Sequence, residues 1–182
     1  MQQYQTILFD LDGTLTDSAP GILNSVRYAC RKLELPLPEE AVLRRFLGPP
    51  LPASFQEYLH LDEAWTRRAV EAFREYYPAK GIFEKEVYPG IPALLAALKS
   101  AGRRVVMATS KPEVFARRIM EHFSLEGYFD AICGATIDER RTDKGDVIAY
   151  ALETAGVTDL RHTVMVGDRE HDVKGAARNG LP

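Results

Sequence analysis

The first apolar stretch, Thr6–Leu11, runs almost without a polar break, as a strand covered on both faces requires. From about residue 16 to 86 the apolar positions instead recur at helical spacing. Ile22, Val26, Ala29, Cys30 and Leu33 form one stripe; Asp17 or Ser18 can cap that helix, Pro20 lies in its first turn, and Pro36 and Pro38 end it. Val42, Leu43 and Phe46 mark a second helix near Glu39–Leu47, broken by Gly48-Pro49-Pro50. Phe55 and Leu59 mark a third. Trp65, Ala69, Phe73 and Tyr76 mark a fourth, about Asp62–Tyr77, and read as the core of this helical block. From Tyr88-Pro89-Gly90 onward helix and strand alternate: helix 91–101, strand Arg104–Thr109, helix 112–122, strand 128–133, helix 143–156, strand His162–Val166 and a last helix over about 171–179. Such alternation predicts parallel strands joined by crossover helices. The expected organisation is an α/β core made of residues 1–15 and 87–182, with the all-helical segment 16–86 inserted after the first strand, above the sheet's carboxyl edge.

Composition narrows the function classes. The chain has 182 residues, enough for one domain with a smaller insertion, and 46% hydrophobic residues, enough for a proper core. A net charge of −3 offers no basic surface for a nucleic acid polymer or an anionic membrane. Cys30 and Cys133 fit no metal-ligand spacing and read as buried thiols in a reducing compartment. No apolar run approaches a membrane span, so a cytoplasmic protein is expected.

The chemistry begins where the first strand ends, in Asp10-Leu11-Asp12-Gly13-Thr14. Strand residues two apart face the same way, so Asp10 and Asp12 can converge beyond the carboxyl edge, where open α/β sheets bind ligands. Adjacent carboxylates repel unless a cation intervenes, and Mg2+ is typically held by one or two carboxylates with phosphate oxygens. Gly13 permits a sharp turn, and Thr14 offers an anion a hydroxyl and a backbone N–H. The other strand ends match. Thr109 and Ser110 present hydroxyls to a phosphate oxygen at a helix start. Asp168 is placed to join Asp10 and Asp12 on the metal, and Asp172 to orient Asp168 or a metal-bound water. Lys144, at or just before a helix start, can neutralise an aspartate and a phosphate together. His171 lacks a ligand set and is expected to pack or to stand behind the acidic residues.

In that order and spacing, Asp10-x-Asp12-Gly13-Thr14, Thr109, Lys144 and Gly167-Asp168 with Asp172 resemble the haloacid dehalogenase-like superfamily, phosphoglycolate phosphatase-like subgroup. The segments "DLDGTLTDSAPGI", "RRFLGPPL", "YPGIPALL", "ATSKP" and "GDREHD" look most like its bacterial 5'-nucleotidase-like branch. The resemblance implies a three-layer sandwich with a parallel, Rossmann-like sheet and a small helical cap. It also implies a Mg2+-dependent phosphatase that hydrolyses a small phosphate monoester through an aspartyl-phosphate. Asp10 is then the nucleophile and Asp12 the acid/base. Mg2+ is held by Asp10, the backbone carbonyl of Asp12, and Asp168, while Gly13, Thr14, Thr109, Ser110 and Lys144 bind substrate. Arg44, Arg45 and the Gly48-Pro49-Pro50 loop are candidate substrate contacts. The implied partner is a nucleoside monophosphate or a phosphoglycolate-like metabolite, acted on by a monomer or homodimer. Phosphoglycolate or sugar-phosphate hydrolysis and phosphomutase chemistry stand as alternatives. A phospho-accepting receiver domain is disfavoured, because its acidic pair and phosphorylated Asp come from different strands. Family members usually continue into a further core strand and helix, so a last strand is expected to be missing after Gly180-Leu181-Pro182.

Overall fold

The computed structural model describes residues 4–138 and 140–182. Strand β1 (Thr6–Phe9) is followed by a short β2 (Thr16–Asp17), then by helices α1 (Ala19–Lys32), α2 (Glu40–Arg44), α3 (Leu51–Leu59) and α4 (Glu63–Tyr76). A π-helical turn, Tyr77–Gly81, leads to β3 (Glu86–Val87). The alternating part follows as α5 (Ile91–Ser100), β4 (Arg104–Pro112), α6 (Glu113–His122), β5 (Ala131–Ala135), α7 (Lys144–Thr154), β6 (Thr163–Val166) and α8 (Glu170–Arg178).

The main sheet has four strands in the order β5-β4-β1-β6, all parallel. Thr6 pairs with Arg104 on one side and with Thr163 on the other, so the three strands start level, and β1 and β6 end level at Phe9 and Val166. Strand order reverses direction at β1, and open α/β sheets bind ligands in the crevice at such a reversal. One face buries Leu8, Val106, Ala108 and Cys133 against Val147, Ile148, Ala151 and Leu152 of α7 and Ala176 of α8. The alternating residues Val105 and Met107 point to the other face and are fully buried as well. Both faces are therefore covered, which accounts for the continuous apolar runs in the strands.

Several boundaries differ from the sequence expectation. β1 stops at Phe9, because the N–H groups of Leu15 and Thr16 turn back onto the carbonyl of Leu11 at 2.9 and 3.0 Å. β4 continues past Thr109 to Pro112 across a register shift. β5 starts at Ala131 because Glu126–Tyr128 forms a 3-10 turn ahead of it. β2 and β3 pair as a two-stranded ribbon at the ends of the segment that the pattern reads as strand-free. Ser18 stands at the N-cap of α1 but makes no side-chain capping bond.

The chain divides into two compact units, residues 1–17 with 87–182, and residues 18–86. The second has its own core of Leu23, Val26, Ala29, Cys30, Leu43, Phe46, Phe55, Ala69, Val70 and Phe73. Phe46 meets the rings of Phe55 and Tyr58 edge-on. Trp65 does not share this core: it is 37% exposed, and the Arg68 guanidinium lies 4.2 Å from the centre of its ring. Both cysteines are buried and free. Among the described residues no helix is long and apolar enough to cross a membrane.

Candidate active site

Asp10 is the first residue beyond β1, and its N–H donates to the carbonyl of Val166 at 2.9 Å, which fixes its backbone against β6. The residue is only 8% exposed. Burial pushes it above the usual carboxylate range; the Lys144 ammonium pulls it back, and the charges on Asp172 and Asp12 push it up again. Lys144 Nζ donates to Asp10 Oδ1 and lies 2.8 Å from Asp172 Oδ1, with 5% of its own side chain exposed. That ammonium is delivered by the start of α7. The Asp143 carboxylate caps the helix by accepting from the N–H groups of Gly145 and Asp146 at 2.8 and 3.4 Å, so Lys144 is its first residue.

Asp10, Asp168 and Asp172 offer carboxylate oxygens that all lie within 4.8 Å of one another. Asp172 accepts from the N–H of Arg169 at 3.0 Å in the first turn of α8, which turns its carboxylate back toward the strand end. Asp168 is exposed and accepts from the Thr14 hydroxyl at 3.4 Å. Gly13 makes this approach possible. Its φ is +90°, and a Cβ there would stand 2.3 Å from Asp168 Oδ2. An oxygen-only donor set with negative charge to spare fits a hard divalent cation such as Mg2+. The negative field reaches Tyr88, whose phenol is pushed up first by burial and then by Asp17, Asp168 and Asp12.

The remaining sequence candidates fall as follows. The carboxylate of Asp12 lies outside that trio and pairs with Lys111 Nζ at 2.7 Å. Gly13 N–H donates to the carbonyl of Thr16 at 2.8 Å and Thr14 N–H to that of Leu11 at 3.3 Å, so both serve the turn, whereas the sequence reading offers the Thr14 N–H to an anion. Thr109 is buried at the end of β4, and its hydroxyl accepts from the N–H of Lys111 at 3.2 Å. Ser110 is exposed. His171 is exposed rather than packed behind the acidic residues. In the helical unit, Arg44 lies 3.6 Å from Glu40, while Arg45 pairs with Glu57 at 3.1 Å and stacks on Tyr58. Lys111 is the residue that sequence reasoning misses. Its one signal is its place two residues beyond Thr109, at a strand end.

A family model described as haloacid dehalogenase-like hydrolase matches residues 7–182. The 5'-nucleotidase of Pseudomonas aeruginosa is 45% identical over 98% of this chain and 80% of its own length. Tyrosine-protein kinase PtkA of Mycobacterium tuberculosis is 44% identical over 97% of the chain, which spans 60% of that relative. Among solved structures, a haloacid dehalogenase-like family hydrolase from Streptococcus pneumoniae superposes with a TM-score of 0.86 at 35% identity, covering 100% of this chain and 83% of the other.

Proposed function

Because the chain belongs to the haloacid dehalogenase-like hydrolases, we propose that it is a Mg2+-dependent phosphatase of small phosphate monoesters, 5'-nucleotidase-like in substrate class. The observation that carries this reading is the buried Asp10 carboxylate, held by Lys144 and grouped with Asp168 and Asp172. Asp10 attacks phosphorus, and the ester oxygen leaves with a proton from the Asp12 carboxyl. Asp12, now a carboxylate, takes a proton from water as the water oxygen displaces Asp10 from phosphorus. That step restores both carboxyl groups and releases phosphate. Asp10, Asp168 and the Asp12 backbone carbonyl would hold Mg2+, with Asp172 beside them, and the ion supplies charge neutralisation for the transferred phosphoryl group. Thr109, Ser110 and Thr14 contact its oxygens through their hydroxyls, and Gly13 shapes the turn that presents them. Lys144 offsets charge on Asp10 and the phosphoryl group together. The helical unit 18–86 acts as the cap that selects the leaving group.

The identity to P. aeruginosa 5'-nucleotidase supports nucleoside monophosphates over phosphoglycolate and sugar phosphates. A phosphate-release screen over these three classes, with Mg2+ and with excess chelator, tests the reading. Release from a nucleoside 5'-monophosphate that needs Mg2+ is expected. No release from any ester, or undiminished release in chelator, overturns it. The 44% identity to PtkA supports a second reading, transfer of a phosphoryl group to protein tyrosine. Phosphotyrosine formed from ATP on a tyrosine peptide, without phosphate release from the esters, would favour it.

A further inference from the structure

Lys111 lies in the sheet unit beside the acid/base of the reaction proposed above, and that mechanism leaves it without a role. Three features fix where it stands. β4 breaks register between Thr109 and Pro112, which sets Lys111 off the regular pleat. Its N–H is bound by the Thr109 hydroxyl at 3.2 Å. Gly134 of β5 lies so close beneath that a Cβ there would stand 2.5 Å from the Lys111 carbonyl oxygen. The side chain is 9% exposed, and Nζ lies 2.7 Å from Asp12 Oδ2, on a carboxylate 26% exposed. A lysine buried to this degree loses the rotamer freedom of a surface lysine, and it anchors one oxygen of its partner.

We infer that Lys111 is a positioning residue for Asp12: by holding Oδ2 it fixes the plane of the carboxyl group that passes a proton to the leaving oxygen and then receives one from water. Two lysines thus divide the carboxylates between them, Lys144 on Asp10 and Asp172, Lys111 on Asp12. The inference rests on the phosphatase reading, and leaving-group chemistry tests it separately. An alkoxide must be protonated as it departs, whereas p-nitrophenolate departs without a proton. A positioned acid therefore matters for the first ester and little for the second.

The experiment compares kcat and KM of wild type, K111M, D12N and the double variant on p-nitrophenyl phosphate and on a nucleoside 5'-monophosphate, or on phosphoglycolate if nucleotides are not turned over. K111M is expected to lower kcat on the alkyl ester at least about tenfold more than on the aryl ester, within the range that general acid catalysis contributes. In the D12N background K111M is expected to add less than about a twofold loss, as residues acting as one unit do. Equal losses on both esters, an effect confined to KM, or full additivity with D12N would overturn the inference. K111Q supplies the same comparison if K111M does not fold. Wild-type protein that releases phosphate from neither ester overturns the phosphatase reading itself, and this inference with it. Wild-type turnover without the leaving-group split overturns the role of Lys111 alone.

Discussion

Asp10 is buried where its negative charge costs stability, and the two lysines nearby explain how the fold tolerates such an acidic strand end. Its carboxyl is held above the ordinary range by burial, against the pull of Lys144, so the folded chain binds that proton more tightly than the unfolded chain. The stability linked to Asp10 is therefore fully present below the unfolded value, near 4, and is lost as pH rises through the folded value. Asp10→Asn should abolish phosphate release. In chelator it should also raise the melting free energy at neutral pH by about 1 kcal/mol, a trade of stability against function. That gain should shrink toward zero as the pH falls to the unfolded value. Thermal melts of wild type and variant across the acid range check this, and a gain that grows on acidification would contradict it. The grouping of Asp10 with Asp168 and Asp172 was legible in the sequence because each stands just beyond a strand end, whereas the Asp12 carboxylate, expected to converge on the same centre, falls outside it. Lys111 was not legible, because its partner is distant in the chain and the β4 register shift that seats it leaves no mark in composition.

At the scale of elements, two helices start on the same device with different consequences. Asp62 caps α4 by accepting from the N–H of Trp65 at 2.8 Å, and Asp143 caps α7 in the same manner. Removal of either cap should cost about 1 kcal/mol. Only Asp143 fixes the helix turn that delivers Lys144 to Asp10, while also pairing with Arg178 at 2.9 Å. Asp62→Ala should therefore lower the melting temperature and leave turnover near the wild-type value. Asp143→Ala should lower the melting temperature by a similar amount and reduce kcat about tenfold, the scale of a charge displaced by a fraction of an ångström. Similar kcat values for the two variants would show that the α7 cap has no part in placing Lys144. Helix positions were readable from the apolar stripes, but strand limits were not. β1 ends early because the N–H groups converging on Leu11 impose a turn that apolar periodicity cannot reveal. Trp65 followed the helical stripe and still lies partly exposed outside the helical core, with the Arg68 guanidinium over its ring.

For the whole molecule, the change from helical spacing to helix–strand alternation marked two kinds of architecture, whereas the order β5-β4-β1-β6 left no trace in local pattern. β1 pairs with β4, so the ladder Thr6–Arg104 through Phe9–Met107 joins two segments that flank the helical unit in the sequence. Each unit nonetheless has a core of its own, Phe55 and Phe73 among the helices, Leu8 and Ile148 in the sheet unit. Separate cores give separate cooperative units unless the segments joining them carry stress from one to the other. Phe55 is fully buried, and Phe55→Ala leaves a cavity that should cost about 3–5 kcal/mol. If the helical unit unfolds independently, that loss falls on it alone. Amide exchange in α1, α3 and α4 of the variant should accelerate by two orders of magnitude or more, about 1.4 kcal/mol per tenfold step, while β1, β4 and β5 keep their protection. Uniform acceleration across β4 as well would show that the two cores melt as one, and that the inserted helices are a structural part of the sheet unit's stability.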